Sequence, residues 1–125
     1  MSRKPNPVCW FEIPVKNMDR AQTFYEHVLG AKLEQNEMGG MLMAWFPMRD
    51  KVTGASGALV KGKGYVPARS GTLVYFSTPD IKAALARAGK RGGRTLMPKT
   101  DIGEYGFIAF VLDCEGNRIG LHAST

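Results

Sequence analysis

Apolar and polar positions along the chain fall into a pattern that occurs twice. Val8-Cys9-Trp10-Phe11-Glu12-Ile13-Pro14-Val15 reads as a strand, and a helix follows at once from Asp19 to Leu29. Near the midpoint Gly71-Thr72-Leu73-Val74-Tyr75-Phe76-Ser77 reads as another strand, followed by a helix from Asp80 to Ala88. Trp10 precedes Asp19 by nine residues, and Gly71 precedes Asp80 by the same nine. An echo of this length points to one supersecondary unit used twice.

Ala21, Phe24, Tyr25, Val28 and Leu29 form the apolar stripe of the first helix, with Asp19 and Gln22 as a capping box and Gly30 as its stop. The second helix is expected to open with Thr78 as N-cap and Pro79 in its first turn, to bury Ile81, Ala84, Leu85 and Ala88, and to end at glycines 89, 92 and 93. Three strand-like pieces follow each helix. These are Ala31 to Gln35, Met41 to Met48 and Ser56 to Val60, then Arg94 to Pro98, Gly106 to Leu112 and Arg118 to His122.

The order is βαβββ twice, in a single 1–125 domain: module one about 7–60, a linker about 61–70 rich in turn residues, and module two about 71–123. Strands with a helix on one face must bury the other on something. The expected fold class is therefore α+β, two tandem βαβββ modules forming an open, curled mixed sheet around a cleft with the helices outside.

Alternation along the first strand puts Cys9, Phe11, Ile13 and Val15 on one face, suited to packing against helices, with Cys9 as a small hydrophobe. Trp10, Glu12 and Pro14 then point toward the cleft. A carboxyl in apolar surroundings is harder to ionise, so Glu12 is a candidate general base; a structural ion pair or backbone cap is the alternative. His122 shares a face with Gly120 and Arg118 and is the second catalytic candidate, or else a surface histidine.

Met43 and Trp45 share one face of their strand, and Leu42, Ala44 and Phe46 the other; the sequence leaves open which face lines the cleft. Tyr75 and Phe110 are further pocket candidates, with core packing as the alternative for each. Gly103-Glu104-Tyr105-Gly106 is either a lid bringing Glu104 or Tyr105 to a ligand or an ordinary hairpin turn. Asp113 to Asn117 has turn chemistry and needs no further role.

Composition narrows the classes. Seventeen basic residues against eleven acidic ones give a net charge of +6. No helix-turn-helix, zinc-finger or ribonucleoprotein pattern accompanies that charge, so no nucleic-acid partner is expected. No apolar run approaches the ~18 residues of a membrane helix, and Met1-Ser2-Arg3-Lys4-Pro5 has no apolar stretch behind it, so neither a membrane nor an export leader is expected. Two cysteines supply neither a disulfide framework nor a zinc quartet. Cytoplasm is the expected address.

Several stretches together carry a family resemblance: Ile13-Pro14-Val15, Asp19-Arg20-Ala21, Phe24-Tyr25, Leu29-Gly30, Gly106-Phe107-Ile108-Ala109-Phe110, and Asp113-x-Glu115-Gly116-Asn117-Arg118-Ile119-Gly120-Leu121. In order and spacing the chain resembles the vicinal oxygen chelate superfamily, which includes glyoxalase I, fosfomycin-resistance transferases, extradiol dioxygenases and bleomycin-binding proteins. The nearest likeness is to an uncharacterised glyoxalase-like branch. The resemblance implies a divalent ion held at module-opening and module-closing strands. Its places fall on Trp10, Gly71, Gly120 and either Gly57 or Ala58. None offers an imidazole, carboxylate or thiolate, so no metal and no cofactor are expected.

The resemblance also implies a symmetric homodimer whose clefts combine modules of both chains, with Trp10 of one facing Gly71 and Gly120 of the other. The expected function is binding of a small apolar or aromatic molecule in a metal-free cleft, a sequestration like that of bleomycin-resistance proteins. Trp10, Met43, Trp45, Tyr75, Glu104, Tyr105, Phe110 and Arg118 are the candidate ligand contacts. The alternative is a metal-free or atypical lyase or isomerase using Glu12, perhaps with His122. A metal-dependent glyoxalase or dioxygenase is the weaker one.

Overall fold

A computed structural model describes residues 6–125. The opening pentapeptide, read above for an export leader, lies outside them. The elements run β1 (Trp10–Pro14), α1 (Met18–Leu29), β2 (Glu34–Met38), β3 (Met41–Trp45), β4 (Ser56–Lys61), β5 (Tyr75–Ser77), α2 (Ile81–Lys90), β6 (Arg94–Asp101), a 3-10 turn (Gly103–Tyr105), β7 (Phe107–Leu112) and β8 (Arg118–Ala123). This is βαβββ twice. The strands form two four-stranded mixed sheets, ordered β1-β4-β3-β2 and β5-β8-β7-β6, neither of them closed. In each, the opening and closing strands run parallel and the other pairs antiparallel.

Both helix caps differ from expectation by two residues, in opposite directions. Asn17, not Asp19, caps α1, its side-chain oxygen accepting from Arg20 N at 3.1 Å. Asp80, not Thr78, caps α2, accepting from Ala83 N at 3.1 Å. An N-cap must reach the amide three residues on, and these residues stand at that distance with extended backbone. Asp19 becomes a first-turn acid, while Gln22 donates to Leu33 O and to Glu26. Gly30 does stop α1, at φ 66°, a left-handed conformation that favours glycine.

Equivalent caps place Asn17 opposite Asp80, an offset of 63 residues, so the true counterpart of Trp10 is Leu73 and that of Glu12 is Tyr75. The earlier pairing of Trp10 with Gly71 is two residues off, because it aligned Asp19 with a cap. Gly71 lies before β5, which begins only at Tyr75.

One core joins both modules. Ile13, Val15, Leu59, Phe76, Ala109, Val111, Ile119 and Leu121 from the sheets meet Ala21, Phe24, Tyr25 and Val28 of α1 and Ile81, Ala84 and Ala88 of α2. At its centre Phe11 and Tyr25 each pack against Phe46 and Phe76, which also meet each other, ring centroids 5.4 to 5.7 Å apart. These arrangements are tilted or edge-on, as aromatic quadrupoles favour. Phe11, Ile13 and Val15 thus pack as alternation required, but Cys9 does not: it precedes β1 and is exposed.

The turn between β7 and β8 is a latch between modules rather than a simple reversal. Asp113, 2% exposed, accepts from the Tyr25 hydroxyl (2.5 Å), from Glu115 N and Asn117 N (2.8 Å each) and from Asn117 Nδ2 (3.2 Å). Asn117 Nδ2 also donates to Pro14 O at 2.8 Å. Glu115 accepts from Lys16 N (2.5 Å), from Asn17 N (3.0 Å) and from the Arg20 guanidinium. Five polar residues from opposite ends of the chain therefore satisfy each other where the modules join.

Candidate functional site

Opposite the helices, the first sheet presents a patch in which Met43, Ala58 and Val60 are buried beneath Trp10, Met41, Trp45 and Tyr65. The face of β3 left open by its alternation is thereby decided: Met43 and Trp45 lie on this patch, while Ala44 and Phe46 enter the helix-side core. Trp10 and Trp45 meet edge to face at 5.4 Å. Beside them, the Glu12 carboxylate accepts from Trp10 Nε1 at 3.3 Å on one oxygen and from the Tyr65 hydroxyl at 2.8 Å on the other. The hydrogen bond to Glu12 raises the Tyr65 phenol above its usual range. Glu12 itself is exposed, so the chain does not supply the dehydrated surroundings expected for it. As part of the edge strand β1, it has an open side.

On the second sheet, the Tyr75 ring lies over Gly120: a Cβ at Gly120 would stand 2.5 Å from Tyr75 Cδ1. Phe110 is 6.1 Å from Tyr75, centroid to centroid, and the Arg118 guanidinium lies over Phe110 at 5.7 Å. His122 stands apart from this group. Its Nε2 is 2.6 Å from Tyr105 O, and since a carbonyl only accepts, that nitrogen carries the proton. The bond ties the 103–105 turn to β8. Tyr105 projects from that turn at 72% exposure, and Glu104 is exposed beside it.

Three cavities sort the candidate residues. A groove of about 660 Å³ brings Trp10 and Tyr75 together across the module boundary, with Phe11, Phe46, Phe76, Met48 and Val52 in its walls. A crevice of about 220 Å³ where β1 ends and β8 begins holds Glu12 and Arg118. A third, of about 200 Å³, holds His122 with Ser77, Thr78 and Pro79. Glu12 and His122, paired in the sequence reading, therefore line separate cavities within one chain.

At the places where the resemblance implies metal ligands, the corrected equivalence sets Trp10, Leu73, Ala58 and Gly120. Ala58 is opposite Glu12, as Gly120 is opposite Tyr75, the counterpart of Glu12, whereas Gly57 is opposite Phe11. Indole, methyl, isobutyl and hydrogen provide no oxygen, sulfur or imidazole nitrogen to an ion. Among the described residues no three His, Cys, Asp or Glu come together.

Two participants escaped the sequence reading. Tyr65 sat in the stretch read as a linker, although it is the aromatic residue within Lys61 to Ser70. Glu115 was absorbed into a turn; nothing local announces that its carboxylate reaches the first helix.

A fold of two βαβββ modules, each with a helix on one face of a mixed sheet and both sharing one core, defines a class of small two-module α+β proteins. The family model "Glyoxalase/Bleomycin resistance protein/Dioxygenase superfamily" matches residues 8–121. The chain belongs to that superfamily. A domain of this description from Frankia sp. EAN1pec superposes with TM-score 0.73 at 17% identity, covering 98% of this chain and 100% of that one. A glyoxalase family protein from Bacillus cereus superposes with TM-score 0.73 at 18% identity, covering 98% and 97%. Mycobacterium bovis CFP32, named as a candidate glyoxylase, is 24% identical over 116 residues, which make up 90% of this chain and 43% of CFP32. The chain thus spans less than half the length of that curated relative. No helix among the described residues is long and apolar enough to cross a membrane.

Proposed function

We propose that this superfamily member binds a small aromatic or apolar molecule without a metal ion, in the manner of a sequestering protein. The observation that carries the reading is the groove joining Trp10 to Tyr75. Its volume of about 660 Å³ suits a compact organic ligand, and aromatic side chains from both modules stand in its walls among polar ones such as Arg49, Thr53 and Ser77. The donor chemistry at Trp10, Leu73, Ala58 and Gly120 supports the metal-free part. Glu12, hydrogen-bonded to Trp10 Nε1 and to Tyr65, lies outside the groove and would steady the indole that forms part of its wall. The reading includes the homodimer that the resemblance implies, with a second copy against the open sheet faces, and a cytoplasmic address.

The test uses the protein's own reporters. Its only two tryptophans, Trp10 and Trp45, are in edge-to-face contact at the site. Titrating small aromatic compounds in chelator-treated buffer should change the tryptophan emission saturably. Adding a divalent ion should leave the affinity unchanged. Binding that appears only when the ion is present would overturn the metal-free reading and return lyase or dioxygenase chemistry to the front. Sedimentation at micromolar concentration tests the dimer, and a monomer throughout would remove it.

A further inference from the structure

The second cavity makes a different chemical offer from the aromatic groove. It lies where β1 ends and β8 begins, with part of the 66–74 segment alongside. Ile13, Pro14, Val66, Val74 and Ile119 supply its apolar wall, and Glu12 and Arg118 its charges.

Neither charge is used up. The ion pair among the described residues is Arg20 with Glu115, so Arg118 and Glu12 share a cavity without bridging it themselves. Arg118 Nε is buried and has no hydrogen-bond partner. That nitrogen is closed to an incoming ligand, but the outer guanidinium nitrogens are neither buried nor hydrogen-bonded, and with the cation lying over the Phe110 ring they are the donors left for an acceptor from outside the chain. Each Glu12 oxygen accepts one hydrogen bond, leaving roughly two of the carboxylate's four lone-pair positions open. Asn117, also in the wall, has no such capacity to donate: its amide hydrogens go to Pro14 O and Asp113.

An occupant therefore needs an anionic group for Arg118, a cationic donor for Glu12 and a short apolar body. The crevice, of about 220 Å³, has room for a small molecule. We infer that the seam between the modules is a binding site for a small aliphatic α-amino acid, its carboxylate on Arg118 and its ammonium on Glu12. A charge-assisted bond at each end sets the orientation, and the apolar wall takes the side chain. This inference does not rest on the aromatic-groove reading.

The experiment is calorimetric titration of the full chain, in chelator, with three compounds that differ in one group each. Valine carries both charges, isovalerate lacks the ammonium, and isobutylamine lacks the carboxylate. Valine should bind, and each of the other two should bind at least about tenfold more weakly. Arg118→Gln should abolish the preference for valine over isobutylamine, and Glu12→Gln the preference for valine over isovalerate. Isovalerate or isobutylamine matching valine would overturn the proposal, and so would no binding of valine. If either variant fails to fold, the wild-type series decides alone. Aromatic compounds followed by tryptophan emission report the groove separately. Their binding without valine's removes only the seam site. Valine binding that appears only when a divalent ion is added would overturn the seam site as proposed here.

Discussion

The Tyr25 hydroxyl donates to Asp113 Oδ2 at 2.5 Å, inside the core and across 88 positions of sequence. Burial, with the Asp113 charge beside it, pushes the Tyr25 phenol well above its usual range. Tyr25→Phe keeps the ring among Phe24, Phe46 and Phe76 but removes one of the bonds on a buried carboxylate. A loss of about 1–3 kcal/mol is expected in urea unfolding. Asp113→Ala should cost more, since Glu115 N, Asn117 N and Asn117 Nδ2 lose their acceptor as well.

The Glu115 latch should appear in the acid limb of stability. Desolvation alone would raise this carboxyl. Hydrogen bonds from Asn17 N, Lys16 N and the Arg20 guanidinium outweigh it and hold the group below its ordinary value of 4.5. A carboxyl depressed in the folded state stabilises above its unfolded value, and that contribution fades as pH falls through and below it. Denaturant midpoints measured from pH 7 downward should therefore drop more steeply for wild type than for Glu115→Gln. Equal slopes would mean that the latch contributes nothing through its charge.

Two glycines facing aromatic rings should respond oppositely to alanine. At Gly57 a Cβ would meet Phe11 O at 2.2 Å, a backbone atom in the paired strand that cannot move aside. Gly57→Ala should cost at least about 2 kcal/mol or prevent folding. At Gly120 the obstacle is the Tyr75 ring, which is 47% exposed and free to swing. Gly120→Ala should fold with a thermal midpoint near wild type. Because Tyr75 lines the groove, its affinity for aromatic ligands should fall.

Tyr65 and Glu12 are coupled through a 2.8 Å hydrogen bond. The bond raises the Tyr65 phenol, so Glu12→Gln should let one of the four tyrosines ionise at lower pH. Ultraviolet titration of wild type, Glu12→Gln and Tyr65→Phe checks this, the last identifying the tyrosine that moved. Glu12→Gln also separates the functional classes: a binder changes in affinity only, while an enzyme loses turnover with its affinity largely kept.

The two thiols should react at very different rates. Cys9 is exposed, whereas burial, with Asp113 and Glu115 beside it, pushes the Cys114 thiol up to about 11. Since the thiolate is the nucleophile, an aromatic disulfide reagent at pH 8 should modify one thiol quickly and the other slowly. Cys9→Ser should remove the fast phase. A persistent fast phase would place the reactive sulfur at Cys114.

Element types and order were legible because their signals are local. A helix announces itself by apolar residues three and four apart, a strand by alternation, and Ile13, Phe24 and Val28 entered the core those patterns assign. The nine-residue echo was a sound sign of duplication but a poor ruler. Capping is decided by one side-chain oxygen reaching one amide, and Asn17 and Asp19 are both competent for it in sequence. The candidate site was legible only as residues with a shared face: Trp10, Met43 and Trp45 on one sheet, Tyr75, Phe110 and Arg118 on the other.

What the sequence alone determined about this protein is its βαβββ duplication, the two helices, the apolar stripes and the absence of ligand atoms at Trp10 and Gly120. Tertiary structure decided the rest. It set the true equivalence of Trp10 with Leu73, the bond from Tyr65 to Glu12, the separation of Glu12 from His122, and the reach of Glu115 to Arg20. All of these join residues far apart in sequence. Strand register and side-chain direction bring them together only once the core has closed, and no local propensity encodes such a meeting.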